Sequence, residues 1–362
     1  MAGQRNRYDY QEYRGRSGAR SVLIFIIVLL AILFIAGEIF MFFMGDYIRY
    51  SDAGMEFDWP WLHQEDPAPP SFSDWVVVES GGMVVTAGPT AEPVSPLTPD
   101  SRYEALAAVT VTGDQLRGGT AAQAVADAGG NALVVEMKSA TGRLAWQSRT
   151  EQAASLHVNA ADNRVADAIR DLAWDEELYL IARVHCFGDP VLASAWVGPL
   201  MTQEGRIWYD SDGISWSSPA NQPAADYLTA LCLELADMGF DEILLDDAGY
   251  PCLGEVDTLA TDDNRPEDRT VPVSAFLQRL AGELQERGVR LSVYTSEELL
   301  RNEEVYSGMT AGRLARSAGR VWLDGRVDRD RCEGVLSAAG LNNVAARVVA
   351  PAEATERGSW YR

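Results

Sequence analysis

The chain has 362 residues, 47% of them apolar and 23% charged, so it can bury a sizeable core and is neither disordered nor of low complexity. Its 53 Asp and Glu outnumber 30 Lys and Arg, which gives a formal net charge of −23 at pH 7. Because so acidic a chain repels phosphate backbones, we predict that it does not bind nucleic acid.

Cysteine is sparse, and the four cysteines show neither a C-x-x-C pair nor zinc-ligand spacing. A small fold held together by disulfides is therefore excluded, and we predict neither a metal nor another cofactor. The pairing of these cysteines stays open; they are Cys186, Cys232, Cys252 and Cys332.

The N-terminal residues predict a membrane anchor. Residues 1–21 carry five arginines against two acidic side chains, and residues 22–44 form an apolar run with a single charge, Glu38. At 1.5 Å per residue such a helix crosses a hydrocarbon core of about 30 Å. The basic flank places 1–21 in the cytoplasm and everything after the span outside it. A cleaved signal peptide is the alternative, but the run is long and no clear A-x-A site follows.

Residues 45–103 are rich in proline, serine and acidic side chains and lack helical periodicity, which predicts a stalk or linker outside the membrane. Two short β-branched runs, Trp75–Val78 and Met83–Thr86, flank a turn that contains glycine. This pattern predicts one β-hairpin within the stalk.

From residue 104 to 362, apolar runs of strand length alternate with helical patterns, which is typical of a parallel sheet with helical crossovers. The predicted strands are Ala105–Val111, Asn131–Met137, Leu178–His185, Asp241–Leu245, Val289–Tyr294, Arg320–Leu323 and Asn343–Val349. Their number favours an α/β fold of the (β/α)8 TIM-barrel type. The eighth strand is weak, so the barrel either ends in a stub at residues 358–362 or closes incompletely. No glycine-rich phosphate loop supports a nucleotide-binding sheet.

In such a barrel the active site lies where the strands end. Polar side chains at these ends include several carboxylates, as glycoside hydrolysis requires of an acid and a nucleophile or base. They are Glu136, Lys138, Arg183, His185, Asp189, Asp246, Asp247, Tyr250, Tyr294, Glu297, Glu298 and Asp324. We predict that Asp246 is the nucleophile or base and that Glu136 or Glu297 is the acid. Alternatively, aspartates at strand ends cap the next turn, and Glu297 stabilises the start of a helix.

The long loop after the third predicted strand, residues 189–221, is rich in aromatic side chains. They are Trp196, Trp208, Tyr209 and Trp216. Such side chains stack on the apolar faces of sugar rings, or else they pack the loop onto the barrel. At the same rim we predict that His185, Asp247 and Tyr250 contact the substrate. His185 is expected to be hydrogen-bonded and not to bind a metal, because no partner shows ligand spacing.

Four segments also resemble one family. Phe240–Pro251 (FDEILLDDAGYP) resembles FDEIQFDYVRFP, the strand-four signature of a bacterial family of glycoside hydrolase-type barrels. Asn131–Gly142 (NALVVEMKSATG), Arg183–Ala193 (RVHCFGDPVLA) and Gly205–Asn221 (GRIWYDSDGISWSSPAN) are similar to further motifs of that family, in the same order. The family is extracytoplasmic, often anchored by one N-terminal helix, and distantly related to the alpha-amylase-type barrels. The resemblance covers roughly residues 105–325.

The resemblance implies roles for matching residues. Asp246 matches the strand-four acid; the other matches are Glu136, Lys138, Asp189, Trp208, Trp216 and Asn221. The chain departs from the family where Gly249 replaces the strand-four arginine and where Tyr294 replaces the strand-five acid. The strand-six signature is also replaced, at residues 321–325. A second catalytic carboxylate at strand five would thus be missing, unless Glu297 replaces it.

These observations predict an extracytoplasmic, single-pass membrane protein whose barrel hydrolyses a polysaccharide or cell-wall glycan with paired carboxylates. The alternative is a degenerate barrel that binds a cell-envelope glycan without cleaving it. A second carboxylate within about 5 to 10 Å of Asp246 would favour hydrolysis over binding without cleavage. A structural scaffold predicts that neither Asp246 nor the loop tryptophans line a pocket.

Overall fold

The structure is a computed structural model that describes residues 48–51, 54–57, 77–80, 83–86, 106–174, 178–195, 198–301, 307–325, 327–354 and 358–362. The chain divides into two compact units, residues 1–91 and 92–362. The predicted cytoplasmic tail and membrane span, 1–21 and 22–44, lie outside the described residues. Within the described part, no helix has the length and apolar character needed to cross a membrane.

The N-terminal unit contains two antiparallel hairpins. Strand β1 (Ile48–Ser51) pairs with β2 (Gly54–Phe57), and β3 (Val77–Ser80) pairs with β4 (Met83–Thr86). The second hairpin is the one predicted from sequence, although its first strand begins two residues later than expected. The first hairpin was not predicted, because its strands are only four residues long and lack a β-branched run.

The second unit is a barrel. Among the described residues, eight parallel strands pair in chain order and the last pairs with the first, so that the sheet closes on itself. The strands are β5 (Ala107–Val111), β6 (Ala132–Lys138), β7 (Tyr179–His185), β8 (Glu242–Asp246), β9 (Arg290–Ser296), β10 (Arg320–Asp324), β11 (Val348–Pro351) and β12 (Ser359–Tyr361). The predicted TIM-type barrel is confirmed, and it is closed: β12 lies where sequence indicated only a stub.

Helices follow the strands. They are α1 (Gly113–Arg117), α2 (Ala121–Asp127), α3 (Glu151–Ser155), α4 (Arg164–Ala173), α5 (Pro190–Ala193), α6 (Gln222–Met238), α7 (Thr270–Gln285), α8 (Glu297–Arg301), α9 (Ala311–Ser317), α10 (Arg329–Ala338) and α11 (Val344–Arg347). The seventh predicted strand, 343–349, was partly wrong. Its first half forms α11, in which two alanines favour helix, and only the following residues form β11.

Side chains inside the barrel alternate with those that face the helices, as the two-residue period of a strand requires. The inner cluster is apolar over most of its volume and includes Tyr179 and Trp322. Near the start of the strands it holds one buried ion pair, Glu242 with Arg320, both fully buried. The Glu242 carboxylate also accepts hydrogen bonds from the Tyr179 hydroxyl at 3.1 Å and the Trp322 indole at 3.2 Å. This network fills the lower end of the barrel.

Candidate active site

Strand alternation aims one set of polar side chains at the upper mouth of the barrel. On β7 the residues that share a face with Tyr179 include Arg183 and His185, and on β8 the face of Glu242 ends at Asp246. The register places His185 directly opposite Asp246 and Arg183 opposite Glu136 of β6. Three neighbouring strands therefore bring these side chains together at their carboxyl ends, where catalytic groups of such barrels lie.

Asp246 is held by a guanidinium group. Its Oδ2 accepts hydrogen bonds from Arg183 Nε at 3.1 Å and from Arg183 Nη2, and its Oδ1 accepts one from the Asp247 backbone N–H at 3.0 Å. Burial acts to lower the pKa of Arg183, but the Asp246 carboxylate outweighs it and raises that pKa. The Arg183 guanidinium also lies over the Tyr294 ring, 5.0 Å from its centroid. The carboxylate is thus fixed, and its side chain is 14% exposed.

Asp247 follows the strand in a left-handed conformation, with φ 51°. Successive strand residues point to opposite faces, and this backbone turn brings the Asp247 carboxylate back beside Asp246. An oxygen of each carboxylate and a ring nitrogen of His185 all lie within 4.8 Å of one another. Burial raises the pKa of Asp247 despite a hydrogen bond to His185, and the charge of Asp246 adds to the rise. Asp247 is therefore the carboxyl group suited to hold a proton.

His185 bridges the carboxylates. Its Nδ1 lies 3.3 Å from Asp247 Oδ2 and 3.7 Å from Asp246 Oδ2, and its Nε2 lies 3.3 Å from Glu136 Oε2. Burial acts to lower the pKa of His185, but the surrounding carboxylates raise it to about 9. At neutral pH the imidazolium donates on both sides. The hydrogen bond from His185 is the main cause of the lowered pKa of Glu136.

Lys138 and Asp189 form a buried ion pair that contacts the backbone of His185. A shift in strand register between Glu136 and Lys138 turns the lysine away from the mouth, and both charged side chains are almost fully buried. Lys138 Nζ donates to Asp189 Oδ2 at 2.6 Å and to the His185 carbonyl at 2.7 Å. Asp189 also caps α5 through its other oxygen. Neither side chain is accessible to a substrate here, and we assign both to positioning the backbone of His185.

The two loop tryptophans that the structure describes are buried. Trp208 is 2% exposed and donates its indole N–H to the Glu255 carbonyl at 3.1 Å. Trp216 is 8% exposed and donates to Asp210 Oδ2 at 2.8 Å. Both therefore pack the loop, which is the alternative that the sequence left open; Trp196 lies outside the described residues.

Three further predicted residues also have structural partners. Asn221 caps α6, since its side chain accepts from the Ala224 N–H at 3.1 Å. Tyr250 is 2% exposed, and its hydroxyl donates to the Asn264 carbonyl at 3.0 Å. Glu297 lies in the first turn of α8, where an acidic side chain is favourable, and it accepts a hydrogen bond from the Asp328 backbone N–H at 2.9 Å.

The departures from the family motifs have local explanations. The hydroxyl groups of Tyr294 and Tyr361 lie 2.7 Å apart, and Tyr361 donates to the Leu323 carbonyl at 2.9 Å. The aromatic pair thus fills the place of the strand-five acid. At Gly249, a Cβ would lie 2.4 Å from the Ser307 carbonyl oxygen, so that this position has no room for an arginine.

The same cluster could hold a cation. His185, Asp246 and Asp247 each offer one ligand atom, a grouping that sequence spacing did not predict because the residues come from two strands. A metal would have to displace the proton of His185, whose pKa is about 9, and compete with Arg183 for Asp246. These contacts favour protonation of His185 over the binding of a metal ion by the cluster.

Arg183 was predicted to lie at the rim but without a role, and no role was predicted for Gly188. The two-residue period of β7 is a signal for Arg183, because it shares a face with His185. A Cβ at Gly188 would lie 2.8 Å from Asp247 Oδ2 and 3.1 Å from Trp216 Cζ2. Glycine is therefore needed for Asp247 and Trp216 to approach this backbone so closely.

Comparisons with solved structures find similar barrels. A hypothetical protein from Ruminiclostridium thermocellum is 24% identical, covering 51% of this chain and 96% of that one, with a TM-score of 0.43. The PgaB (BpsB) glycoside hydrolase domain from Bordetella bronchiseptica is 13% identical, with coverages of 68% and 83% and a TM-score of 0.47. The GH20 exo beta-N-acetylglucosaminidase from Vibrio harveyi is 13% identical, with coverages of 70% and 42% and a TM-score of 0.45.

A search of curated proteins finds no match. A family model described as "Putative glycosyl hydrolase domain" matches residues 107–303, more than half of the chain and every strand from β5 to β9. The rim cluster lies entirely within that match. The chain therefore belongs to this glycosyl hydrolase domain family.

Proposed function

We propose that this chain is a glycoside hydrolase that cleaves a polysaccharide or cell-wall glycan outside the cytoplasm, with Asp246 as nucleophile and Asp247 as proton donor. The observation that carries the proposal is the pair of carboxylate oxygens within 4.8 Å of each other at the barrel mouth. Because the nearest oxygens are this close, the two carboxyl groups fit the separation of about 5 to 5.5 Å in retaining glycosidases better than the about 6.5 to 9.5 Å in inverting ones. The family to which the chain belongs supports the same reaction class.

The reaction follows from these positions. An oxygen of Asp246 attacks the anomeric carbon while the glycosidic C–O bond breaks and the leaving oxygen takes a proton from Asp247. Water then gives its proton to Asp247, attacks the same carbon and releases Asp246. Arg183 fixes the attacking carboxylate through its two hydrogen bonds.

Asp247 is a better acid than the two residues predicted from sequence. Burial raises its pKa, which favours the protonated form. The hydrogen bond from His185 lowers the pKa of Glu136, which favours the ionised form. Glu297 is bound to the Asp328 N–H at 2.9 Å and lies near Arg331. Glu136 and His185 then serve to orient Asp247.

A second function, glycan binding without cleavage, is favoured by one observation. Tyr294 occupies the position of the family's strand-five acid and is hydrogen-bonded to Tyr361. Without a second catalytic carboxylate, Asp246 and Asp247 would only accept hydrogen bonds from sugar hydroxyl groups.

The test is release of reducing ends by the purified full-length chain from α-glucans, β-glycans and peptidoglycan. We expect Asp246→Asn to abolish release, and Asp247→Asn to lower it by about 10²- to 10⁴-fold. Asp171→Asn, which changes an exposed carboxylate on α4, is the matched control and should retain the wild-type rate.

Aryl glycosides separate the two roles. An activated leaving group needs no proton, so it should restore much of the rate of Asp247→Asn and none of that of Asp246→Asn. Azide should rescue Asp246→Ala by replacing the missing nucleophile. Release that is unaffected by Asp246→Asn, or binding with no release by the wild type, would reject hydrolysis by this pair.

We also propose that the barrel lies outside the cytoplasm and is tethered by residues 22–44. The apolar length of this segment and the arginines before it support the orientation. In intact spheroplasts carrying a C-terminally tagged chain, added protease should digest the barrel but leave a cytoplasmic marker protein whole. Protection of the tag until lysis would reject this orientation.

A further inference from the structure

A cleft of about 450 Å³ opens between the loop 198–221, which follows β7, and the loop after β8. Backbone hydrogen bonds join its two walls: the Gln203 N–H donates to the Thr258 carbonyl and the Ala260 N–H to the Met201 carbonyl, both at 2.8 Å. The indole of buried Trp208 donates to the second loop as well. The volume is in the range of small-molecule sites, and the walls are preformed.

One wall presents apolar side chains to solvent. Tyr209 is 53% exposed and Ile207 is 44% exposed, although both lie in an ordered strip of β-bridges. Trp208 between them points into the protein. A tyrosine on a fixed backbone offers a flat apolar surface at low cost in side-chain entropy. The C–H face of a sugar ring is complementary to such a surface.

The other lining side chains determine which ligand charge the cleft can accept. It consists of hydroxyl groups and carboxylates, and none of the described lining side chains is basic. The polar members are Thr202, Asp210, Ser211, Glu255 and Thr258. Hydroxyl and carboxylate oxygens bind sugar hydroxyl groups, and the two carboxylates repel phosphate, sulfate and uronate groups. The cleft therefore fits a neutral saccharide.

Trp216 connects this cleft to the catalytic cluster. Its indole N–H donates to Asp210 in the cleft wall, and its ring edge lies beside Gly188, as does the carboxylate of Asp247. A saccharide held in the cleft thus lies against the loop whose Trp216 ring approaches Gly188, beside the proposed proton donor.

We propose that this cleft is a saccharide subsite separate from the catalytic carboxylates, in which Tyr209 stacks on a ring of a neutral glycan chain. The proposal rests on the proposed function for the class of ligand. It differs from that function because binding in the cleft needs neither Asp246 nor Asp247.

The test is binding to the full-length chain of six-unit oligosaccharides: cello-, malto-, xylo- and chito-oligosaccharides, with oligogalacturonate as the anionic comparison. We measure calorimetric affinity and the change in tryptophan fluorescence. Wild type should bind at least one neutral oligomer and not oligogalacturonate. Tyr209→Ala should weaken that affinity by 10-fold or more, Tyr209→Phe should retain it, and Trp174→Ala, which removes an aromatic side chain 88% exposed on another face, should leave it unchanged.

Asp246→Asn separates the two proposals. If it binds the oligomer like wild type while Tyr209→Ala does not, the subsite is established whether or not the wild type hydrolyses anything. If Tyr209→Ala binds like wild type, or no neutral oligomer binds, the subsite is rejected even where hydrolysis is measured. Preference for oligogalacturonate would also overturn it.

Discussion

Two charged clusters lie inside the same barrel, one near each end of the strands, and their compositions differ. At the lower end one carboxylate, Glu242, meets one guanidinium, Arg320, and two further donors, so every oxygen has a partner and the pair is fully buried. At the mouth three carboxylates share Arg183 and His185, and Glu136 is half exposed.

This difference distinguishes charged residues that stabilise the fold from charged residues that can take part in a reaction. A balanced buried pair is typical of a structural role, since the charges of the two partners offset each other. A cluster with more carboxylates than cations spreads the proton affinities of its members, which is what acid and base roles require. The balance of partners, and not the presence of acidic residues, thus identifies the reactive end of this barrel.

The largest expected effect tests the lower cluster. Glu242→Ala removes the carboxylate that faces the buried Arg320 charge, and we expect the free energy of unfolding to fall by about 3 to 5 kcal/mol. Urea denaturation of the full-length chain measures it. The double variant Glu242→Leu with Arg320→Met should recover most of the loss; if the single variant loses under about 1 kcal/mol, the lower cluster is not structural.

The second prediction concerns pH and His185. The folded state raises the pKa of His185 from an ordinary 6.5 to about 9, so folding is stabilised by the bound proton. This stabilisation is complete below about pH 6.5 and is lost as pH rises through about 9, by up to about 3 kcal/mol. Urea denaturation at pH 6 and pH 9.5 should show this loss in the free energy of unfolding of the wild type but not of His185→Gln. His157→Asn, which alters an exposed histidine, is the control and should show the same loss as the wild type.

The third prediction concerns the packing of the proton donor. Gly188→Ala places a Cβ against Asp247 Oδ2 and Trp216, and relieving that contact should displace Asp247. We expect hydrolysis to slow about 10-fold, at a cost in stability of about 1 to 2 kcal/mol. Gly282→Ala is the control, because a Cβ there meets no atom within 4 Å. Equal rates of hydrolysis for Gly188→Ala and Gly282→Ala would show that the close approach of Asp247 to Gly188 does not affect catalysis.

The smallest effect is expected at Tyr294. Tyr294→Phe removes its hydrogen bond with Tyr361 and should lower the free energy of unfolding by about 1 kcal/mol. Hydrolysis should change by less than about 3-fold, because the hydroxyl group only fills the space of the absent acid. A large loss of activity with little loss of stability would instead make Tyr294 a catalytic residue.

Part of the site was predictable from sequence. Strand ends identified Glu136, His185, Asp246 and Asp247, and the two-residue period would have added Arg183. The register shift that buries Lys138 and the left-handed turn at Asp247 were not predictable, because both depend on pairing with neighbouring segments. The sequence also left open whether Trp208 and Trp216 pack the loop, since burial of an aromatic loop depends on what packs above it.

The fold was predictable wherever strands are long and apolar. Strands β6 and β7 extend over seven residues each and match the expected ranges closely. Strand β12 has three residues, too few to show a period, and only its pairing with β5 and β11 identifies it. The sequence therefore indicated only a stub at residues 358–362, because closure depends on tertiary pairing.

Because β12 is so short, its pairing with β5 and β11 is the weakest part of the closed sheet. Each earlier strand can add to its predecessor as soon as both are synthesised, but the Leu106 N–H meets the Ser359 hydroxyl across 253 residues of chain. Until residues 359–361 are available, β5 and β11 remain open edges that can pair with other chains. The short β12 seam is also where amide hydrogen exchange should begin, ahead of the neighbouring strands. The interval before closure is therefore the period in which this protein most needs protection from aggregation.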